Sequence, residues 1–350
     1  VNKNQQCVTL NKLEYTMQLT QKNPLPRSAL ALTALGLGGA PIAGLYETTP
    51  EQQARATIDG AWDLGMRYFD TAPYYGFTLS ERRFGEALRH RPRNDYVISS
   101  KVGRLLKPDT TPYTGKDWVN PLPFRPHYDY SYAGILRSHE DSLQRLGLGY
   151  IDILFVHDIG RVTHGDNHAH YWEQLTKGGG FKALEELRAS GQVKAIGLGV
   201  NEWEIVYDSM QEIDLDCTLL AGRYTLLEQQ SLSPFLEACV RQQNAIVIGG
   251  PFNSGVLVGN GKFNYADAPK EILERVAALK AVCDSFNVPL PAVALQFPMA
   301  HPAVVSAIPG GINLAQLQQN KLWFEQTIPT ALWAELKQRG LIHEDSPVPV

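Results

Sequence analysis

The stretch Met66–Gly76 reads M-R-Y-F-D-T-A-P-Y-Y-G. Its first four residues are a short apolar run with aromatic content, bounded by a turn-rich tail, which is the pattern of a buried strand. That strand ends on a carboxylate, Asp70, and two phenols, Tyr74 and Tyr75, follow before Gly76. A carboxylate at a buried strand end is costly unless a cation meets it. The next apolar run, Tyr96-Val-Ile-Ser-Ser-Lys101, ends in a candidate cation, and Ile151-Asp-Ile-Leu-Phe-Val-His157 ends in an imidazole. Each residue alone has an ordinary explanation: a turn cap for Asp70, a solvated head on an apolar stem for Lys101, a structural role for His157. On successive parallel strands their carboxyl ends share one face, and barrels carry their chemistry on that face.

Working outward, the same alternation fills the chain. An apolar run covers 29–37, and Thr49-Pro-Glu-Gln opens a helix with a capping-box pattern. Ser80-Glu-Arg-Arg opens a second capped helix, and Ala133–Leu146 is a helix closed by Gly147. Strands are predicted at 150–157, 193–200, 216–220, 245–249 and 303–308, with helices near 168–189, 202–211, 232–243, 269–286, 290–300 and 313–325. Regular strand–helix alternation over roughly 280 residues predicts a closed (β/α)8 TIM barrel, an α/β fold in a single domain. The expected organisation is an N-terminal extension over 1–28, the barrel over 29–343 and a C-terminal tail over 344–350. Residues 1–15 are polar and weakly patterned, and Met17 is a candidate natural start with non-native residues before it. Residues 103–131, rich in Pro and Tyr, read as a long irregular loop of functional type.

The chain has 350 residues, 44% hydrophobic and 19% charged, with a net charge of −4, so no basic field exists for nucleic acid or an anionic membrane. Its apolar runs break before the roughly 18 residues a membrane span needs. A cytoplasmic enzyme with a small-molecule substrate, and with neither nucleic-acid nor membrane partners, is the expectation; the oligomeric state stays open. Cys7, Cys217, Cys239 and Cys283 form no C-x-x-C, which fits a reduced compartment. His164, His168 and His170 sit in an expected loop without a carboxylate–histidine helix motif, so no metal is predicted. They read as a solvated loop or a wall of the substrate pocket. Gly36-Leu-Gly-Gly-Ala-Pro41 fails as a dinucleotide fingerprint because Pro41 stands at the third glycine position. G-N-G-K-F at 259–263 lacks the hydroxyl and upstream glycine of a P-loop. Trp118, Phe124, His127, Tyr128 and Tyr130 either line a sugar or pyridine pocket or pack their own loop.

From about residue 30 to 325 the chain resembles the aldo-keto reductase family. F-D-T-A-P-Y-Y-G is similar to the family's first signature, V-I-S-S-K-V-G to its lysine signature and I-D-I-L-F-V-H-D to its histidine strand. The resemblance implies a catalytic tetrad of Asp70, Tyr75, Lys101 and His157. Tyr75 rather than Tyr74 is the acid/base because it lies five residues after Asp70, as in the family. K-V-G-R-L-L, V-H-D-I-G, G-L-G-V-N-E-W and A-G-R-Y-T-L-L resemble the sugar-oxidising branch of L-fucose, D-threo-aldose and L-galactose dehydrogenases, with a pyridoxal 4-dehydrogenase alongside. The implied reaction is NAD(P)-dependent oxidation of the C1 hemiacetal of an aldose to the lactone. Pyridoxal oxidation is the alternative, followed by NADPH-dependent aldehyde reduction and by a non-enzymatic nucleotide-binding subunit.

Departures from the family limit what carries over. Val200 precedes Asn201 where general reductases have serine, Ala221 stands in place of a glutamine, and Gly249 or Gly250 in place of a ring-stacking tyrosine. Asn201 is therefore the carboxamide ligand retained. I-P-G-G-I-N-L-A-Q-L-Q-Q-N, at 308–320, resembles the adenosine-phosphate segment and implies cofactor contacts from Gly310, Gly311, Gln316 and Asn320. It lacks the Lys and Arg that meet a 2′-phosphate, which favours NAD over NADP, with Lys321 as a compensating cation. A free phenol, with a pKa of about 10, is a poor base at neutral pH. A cation within about 4–6 Å is expected to lower that value. Lys101 is assigned this part, Asp70 holds the ammonium, and His157 orients the reacting oxygen.

Overall fold

Residues 16–349 are described in the computed structural model, so residues 1–15, Cys7 included, lie outside the described residues. Strands β1 Leu37–Gly38, β2 Tyr68–Asp70, β3 Val97–Val102, β4 Ile153–His157, β5 Ala195–Val200, β6 Cys217–Ala221, β7 Ala245–Gly249 and β8 Val304–Ile308 pair in parallel in chain order. Parallel bridges Leu35–Ala307 and Gly38–Gly310 join the first stave to the last and close the ring. The expected (β/α)8 TIM barrel is therefore the observed fold. Alternation along the staves explains its two layers. Tyr68, Ile153, Phe155, Cys217, Leu219 and Val247 fill the interior, while Phe69, Ile98, Leu154, Val156, Ile196 and Leu198 face the helices. Strands buried on both faces carry the continuous apolar runs seen in the sequence.

The helical ring is α1 Glu51–Asp63, α2 Leu79–Leu88, α3 Tyr132–Leu146, α4 Gly180–Ala189, α5 Glu204–Ser209, α6 Glu237–Gln242, α7 Leu290–Gln296 and α8 Leu314–Glu325. Lys270–Ser285 and Thr330–Gln338 are additional helices. Ser131 caps α3 by accepting from Gly134 N at 3.2 Å, and Gly147, at φ 63°, ends it. No single helix among the described residues is long and apolar enough to cross a membrane.

Several local expectations are corrected. The 29–37 run divides: Ala31–Thr33 pairs antiparallel with Lys22–Pro24, and only Leu37–Gly38 enters the barrel. Leu25, Leu30 and Leu32 of that hairpin pack on the interior cluster, so ordered packing begins before residue 29. Thr49 and Ser80 do not cap helices; their hydroxyls donate to Pro41 O and Gly39 O, each at 3.0 Å. The helix expected over 168–189 is two, His168–Leu175 and α4, interrupted by a glycine run in which Gly179 takes φ 81°. Residues 103–131 contain a hairpin, Arg104–Pro108 against Phe124–Tyr128.

Candidate active site

Three staves deliver side chains to one mouth of the barrel. Asp70 ends β2, His157 ends β4, and Lys101 lies one residue before the end of β3. Lys101 Nζ donates to Asp70 Oδ2 at 2.8 Å, Asp70 Oδ1 at 3.0 Å and Thr71 O at 2.9 Å, with both side chains 1% exposed. Ser99 Oγ donates to Asp70 Oδ1 at 2.7 Å and lies 3.0 Å from the Tyr68 hydroxyl, so the carboxylate is fixed from below. A glycine in β5 leaves room for the lysine stem: a Cβ at Gly199 would meet Lys101 Cε at 3.0 Å. Tyr75 sits on the turn after β2, its N–H bonded to Ala72 O at 3.2 Å. Lys101 Nζ lies 4.5 Å from the centroid of its ring. The His157 ring meets it edge-on with centroids 6.0 Å apart. The four residues of the expected tetrad thus converge on one space.

Their electrostatics correct one expectation. Burial pushes the Tyr75 phenol well above its ordinary range, Asp70 and Asp158 push the same way, and Arg104 opposes them. Lys101 gives its charge to Asp70 and lies against the phenol ring, and burial outweighs the cations around the hydroxyl. Burial lowers Lys101, with Asp70 pulling it back up, and raises Asp70, with Lys101 pulling it back down. Burial, then Arg104 and Lys101, hold His157 well below the usual imidazole range, so the ring is neutral. A protonated phenol and a neutral imidazole therefore face the same cavity.

That cavity, about 380 Å³, is lined by Tyr74, Tyr75, Trp118, Tyr128 and His157 among others. Of the loop aromatics, Trp118 and Tyr128 line it. Phe124 packs on the cluster of Phe77 and Trp118, His127 is exposed, and Tyr130 is buried with its hydroxyl donating to His157 O at 2.7 Å. Both alternatives for the loop hold, each for different residues. His164, His168 and His170 lie on short helices, not in a loop. His164 Nε2 lies 3.0 Å from the Tyr130 hydroxyl, His168 Nδ1 3.1 Å from Ile159 O and His170 Nε2 3.0 Å from Gln174. Among the described residues no group of three His, Cys, Asp or Glu side chains is placed to hold a metal.

Sequence reasoning missed Arg104, Asp158 and Tyr265. Arg104 is 5% exposed and paired with Asp158, and both line the cavity. Asp158 also accepts from Asn201 Nδ2 at 3.2 Å, and the Tyr265 hydroxyl donates to Asn201 Oδ1 at 3.1 Å. The available signal was an arginine three residues beyond Lys101 and an aspartate directly after His157.

A second cavity, about 320 Å³, shares Tyr75, Leu219, Ala221 and Tyr265 with the first. Gly38, Gly39, Gly249, Gly250, Gly310 and Gly311 make much of its wall bare backbone. At Gly250, φ 56°, an added Cβ would meet nothing nearer than 3.9 Å and would project into the open groove. Such a cradle fits a dinucleotide that lies close along the chain. Gln316 lines the groove and ties down its rim, accepting from Ile312 N at 2.9 Å. Asn320 does not line it; its Nδ2 donates to Gly310 O at 3.4 Å and supports the loop from behind. No Lys or Arg lines the groove among the described residues, and Lys321 is paired with Glu325.

The sequence profile described as the aldo/keto reductase family matches residues 34–339. A pyridoxal 4-dehydrogenase from Microbacterium luteolum is 49% identical over 340 residues, covering 93% of this chain and 99% of that protein. A D-threo-aldose 1-dehydrogenase from a Pseudomonas species is 39% identical, covering 90% and 96%. The holo structure of an aldo-keto reductase from Bacillus halodurans superposes with a TM-score of 0.70 at 24% identity, covering 94% of this chain and 98% of that one. At that identity the likeness is one of fold.

Proposed function

This chain belongs to the aldo/keto reductase family of NAD(P)-dependent oxidoreductases, and we propose that it oxidises a cyclic hemiacetal to the lactone, with pyridoxal the substrate its pocket favours. The observation that carries the reading is the convergence of Tyr75 and His157 on a cavity that shares Tyr75, Leu219, Ala221 and Tyr265 with the glycine-walled groove. Pyridoxal is favoured over the aldose first expected because Tyr74, Trp118 and Tyr128 give the cavity flat aromatic walls, Tyr74 and Trp118 meeting edge-on at 5.6 Å. The pyridoxal-oxidising relative is also the more similar of the two dehydrogenases compared. An aldose remains the second reading, favoured by Asp117, Asp158 and Asn201, which offer polar partners for ring hydroxyls.

A bound nicotinamide supplies the hydride acceptor. Asn201, which lines the substrate cavity, would hold its carboxamide, and Gly310, Gly311 and Gln316, which line the groove, would hold the nucleotide end. In its deprotonated form Tyr75 takes the proton of the hemiacetal hydroxyl while the C–H electron pair leaves as hydride and the C=O bond forms. Lys101 keeps positive charge against the phenol ring, and Asp70 keeps the lysine from wandering. His157, neutral, bonds to the reacting oxygen and fixes its angle.

The test is purified protein with NAD⁺ and a panel of pyridoxal, L-fucose, L-galactose and D-arabinose, following absorbance of the reduced nicotinamide and identifying the product by mass. Lactone formation is expected; silence across the panel overturns the reading. Because burial raises the Tyr75 phenol, its proton is present at neutral pH and must leave before oxidation. Oxidation is therefore expected to climb with pH through neutrality and beyond, and the reverse reduction to decline. A flat or falling oxidation limb above neutral pH would place the base elsewhere. With no Lys or Arg among the described residues lining the groove, NAD⁺ is expected to exceed NADP⁺ by about tenfold or more in kcat/KM. Equal use of both would show that a cation reaches the 2′-phosphate.

A further inference from the structure

Among the described residues, Arg104 is the one strongly buried cation in the substrate cavity that the reaction does not use. Its Nη2 donates to Asp158, and its Nε, covered by protein, has no partner among the described residues. Its guanidinium carbon lies 4.5 Å from the centroid of Tyr74 and 5.6 Å from that of Tyr128. Tyr74 in turn lies 6.1 Å, edge-on, from His157. The fork is therefore held between two phenol faces beside the reacting groups, with donors in excess of the carboxylate it meets. Withdrawing a guanidinium from water for one carboxylate is a poor source of stability. The same arrangement is what planar recognition of an oxygen anion requires.

We propose that Arg104 is a specificity-determining residue that binds the phenolate oxygen ortho to the reacting side chain of an aromatic hemiacetal, orienting the ring so that its hemiacetal carbon meets Tyr75. Pyridoxal carries such an oxygen, so the inference rests on the reading above and names the substrate feature that reading left undefined. The aromatic walls hold the plane of the ring, and the arginine selects one rotation within that plane. Asp158 keeps the guanidinium in place and links it, through Asn201, to the nicotinamide side of the mouth. This makes Arg104 a contact to substrate and Asp158 a positioning residue.

The experiment compares pyridoxal with 3-deoxypyridoxal and 3-O-methylpyridoxal, in wild type, Arg104→Lys and Arg104→Met, by kcat/KM. Binding of the corresponding lactones is measured by calorimetry alongside. A charge-assisted bond predicts that wild type prefers the free phenolate by about 10–100-fold. The ratio should fall to within about threefold in Arg104→Met, with Arg104→Lys between the two. A purely structural arginine would lower both substrates together and leave the ratio unchanged, and that result overturns the proposal. If Arg104→Met does not fold, the methyl ether decides in wild type: undiminished turnover and binding overturn the proposal. Turnover without discrimination sinks this inference alone. Arg104-dependent lactone binding without turnover sinks the proposed reaction and leaves the recognition standing, whereas no binding of any of the lactones sinks both.

Discussion

Tyr75→Phe is expected to lower the rate of hemiacetal oxidation by about 10²–10⁴-fold, the usual worth of a positioned acid/base. Cofactor affinity should stay within about twofold, since only a hydroxyl is lost and the ring keeps its contacts with Lys101 and His157. The alkaline climb should vanish with it, because the group whose proton must leave is gone. Turnover that survives with its pH profile intact would show that another residue moves the proton. Tyr74 is the nearest alternative, but its hydroxyl already donates to Asp117 at 2.8 Å, which leaves it poorly placed to serve.

Lys101→Met carries the second large effect, on stability as well as rate. The ammonium is the only cation on Asp70 among the described residues, and both are almost fully enclosed. Removing one partner of such a pair typically costs about 3–5 kcal/mol. Asp70, whose carboxyl burial already pushes upward, would then fold with a proton. A folded-state value raised above the unfolded one gives stability at low pH that is lost as pH rises. The variant should therefore gain stability on acidification through the carboxylate range. Asp70→Asn in the same chain should recover much of the stability and none of the turnover. Urea midpoints across pH check this; a single variant as stable as wild type at neutral pH would mean the pair contributes nothing.

The fold was legible because parallel staves are buried on both sides and leave uninterrupted apolar words in the chain. Asp70, Lys101 and His157 were legible for a related reason, since polar groups that close such words stand out. What failed was decided by partners outside the local turn, from eight residues away to 64. Thr49 and Ser80 looked like helix caps, but the fold brings Pro41 O and Gly39 O to their hydroxyls. The Arg104–Asp158 pair joins residues 54 apart, and the Tyr265–Asn201 bond residues 64 apart, so no local pattern announces either. The direction of the Tyr75 shift was also beyond the sequence. The neighbouring strand ends imply proximity to Lys101, whereas the depth of burial and the commitment of the lysine to Asp70 belong to the packed structure.

The proposed reaction requires one oxygen atom of the substrate to be held between a phenol and an imidazole at the mouth of the barrel. A crystal structure with NAD⁺ and the product lactone tests it most directly. The lactone carbonyl oxygen is expected within hydrogen-bond distance of both the Tyr75 hydroxyl and a His157 ring nitrogen, with the nicotinamide against the carbonyl carbon. A lactone bound with that oxygen turned away from Tyr75 would contradict it.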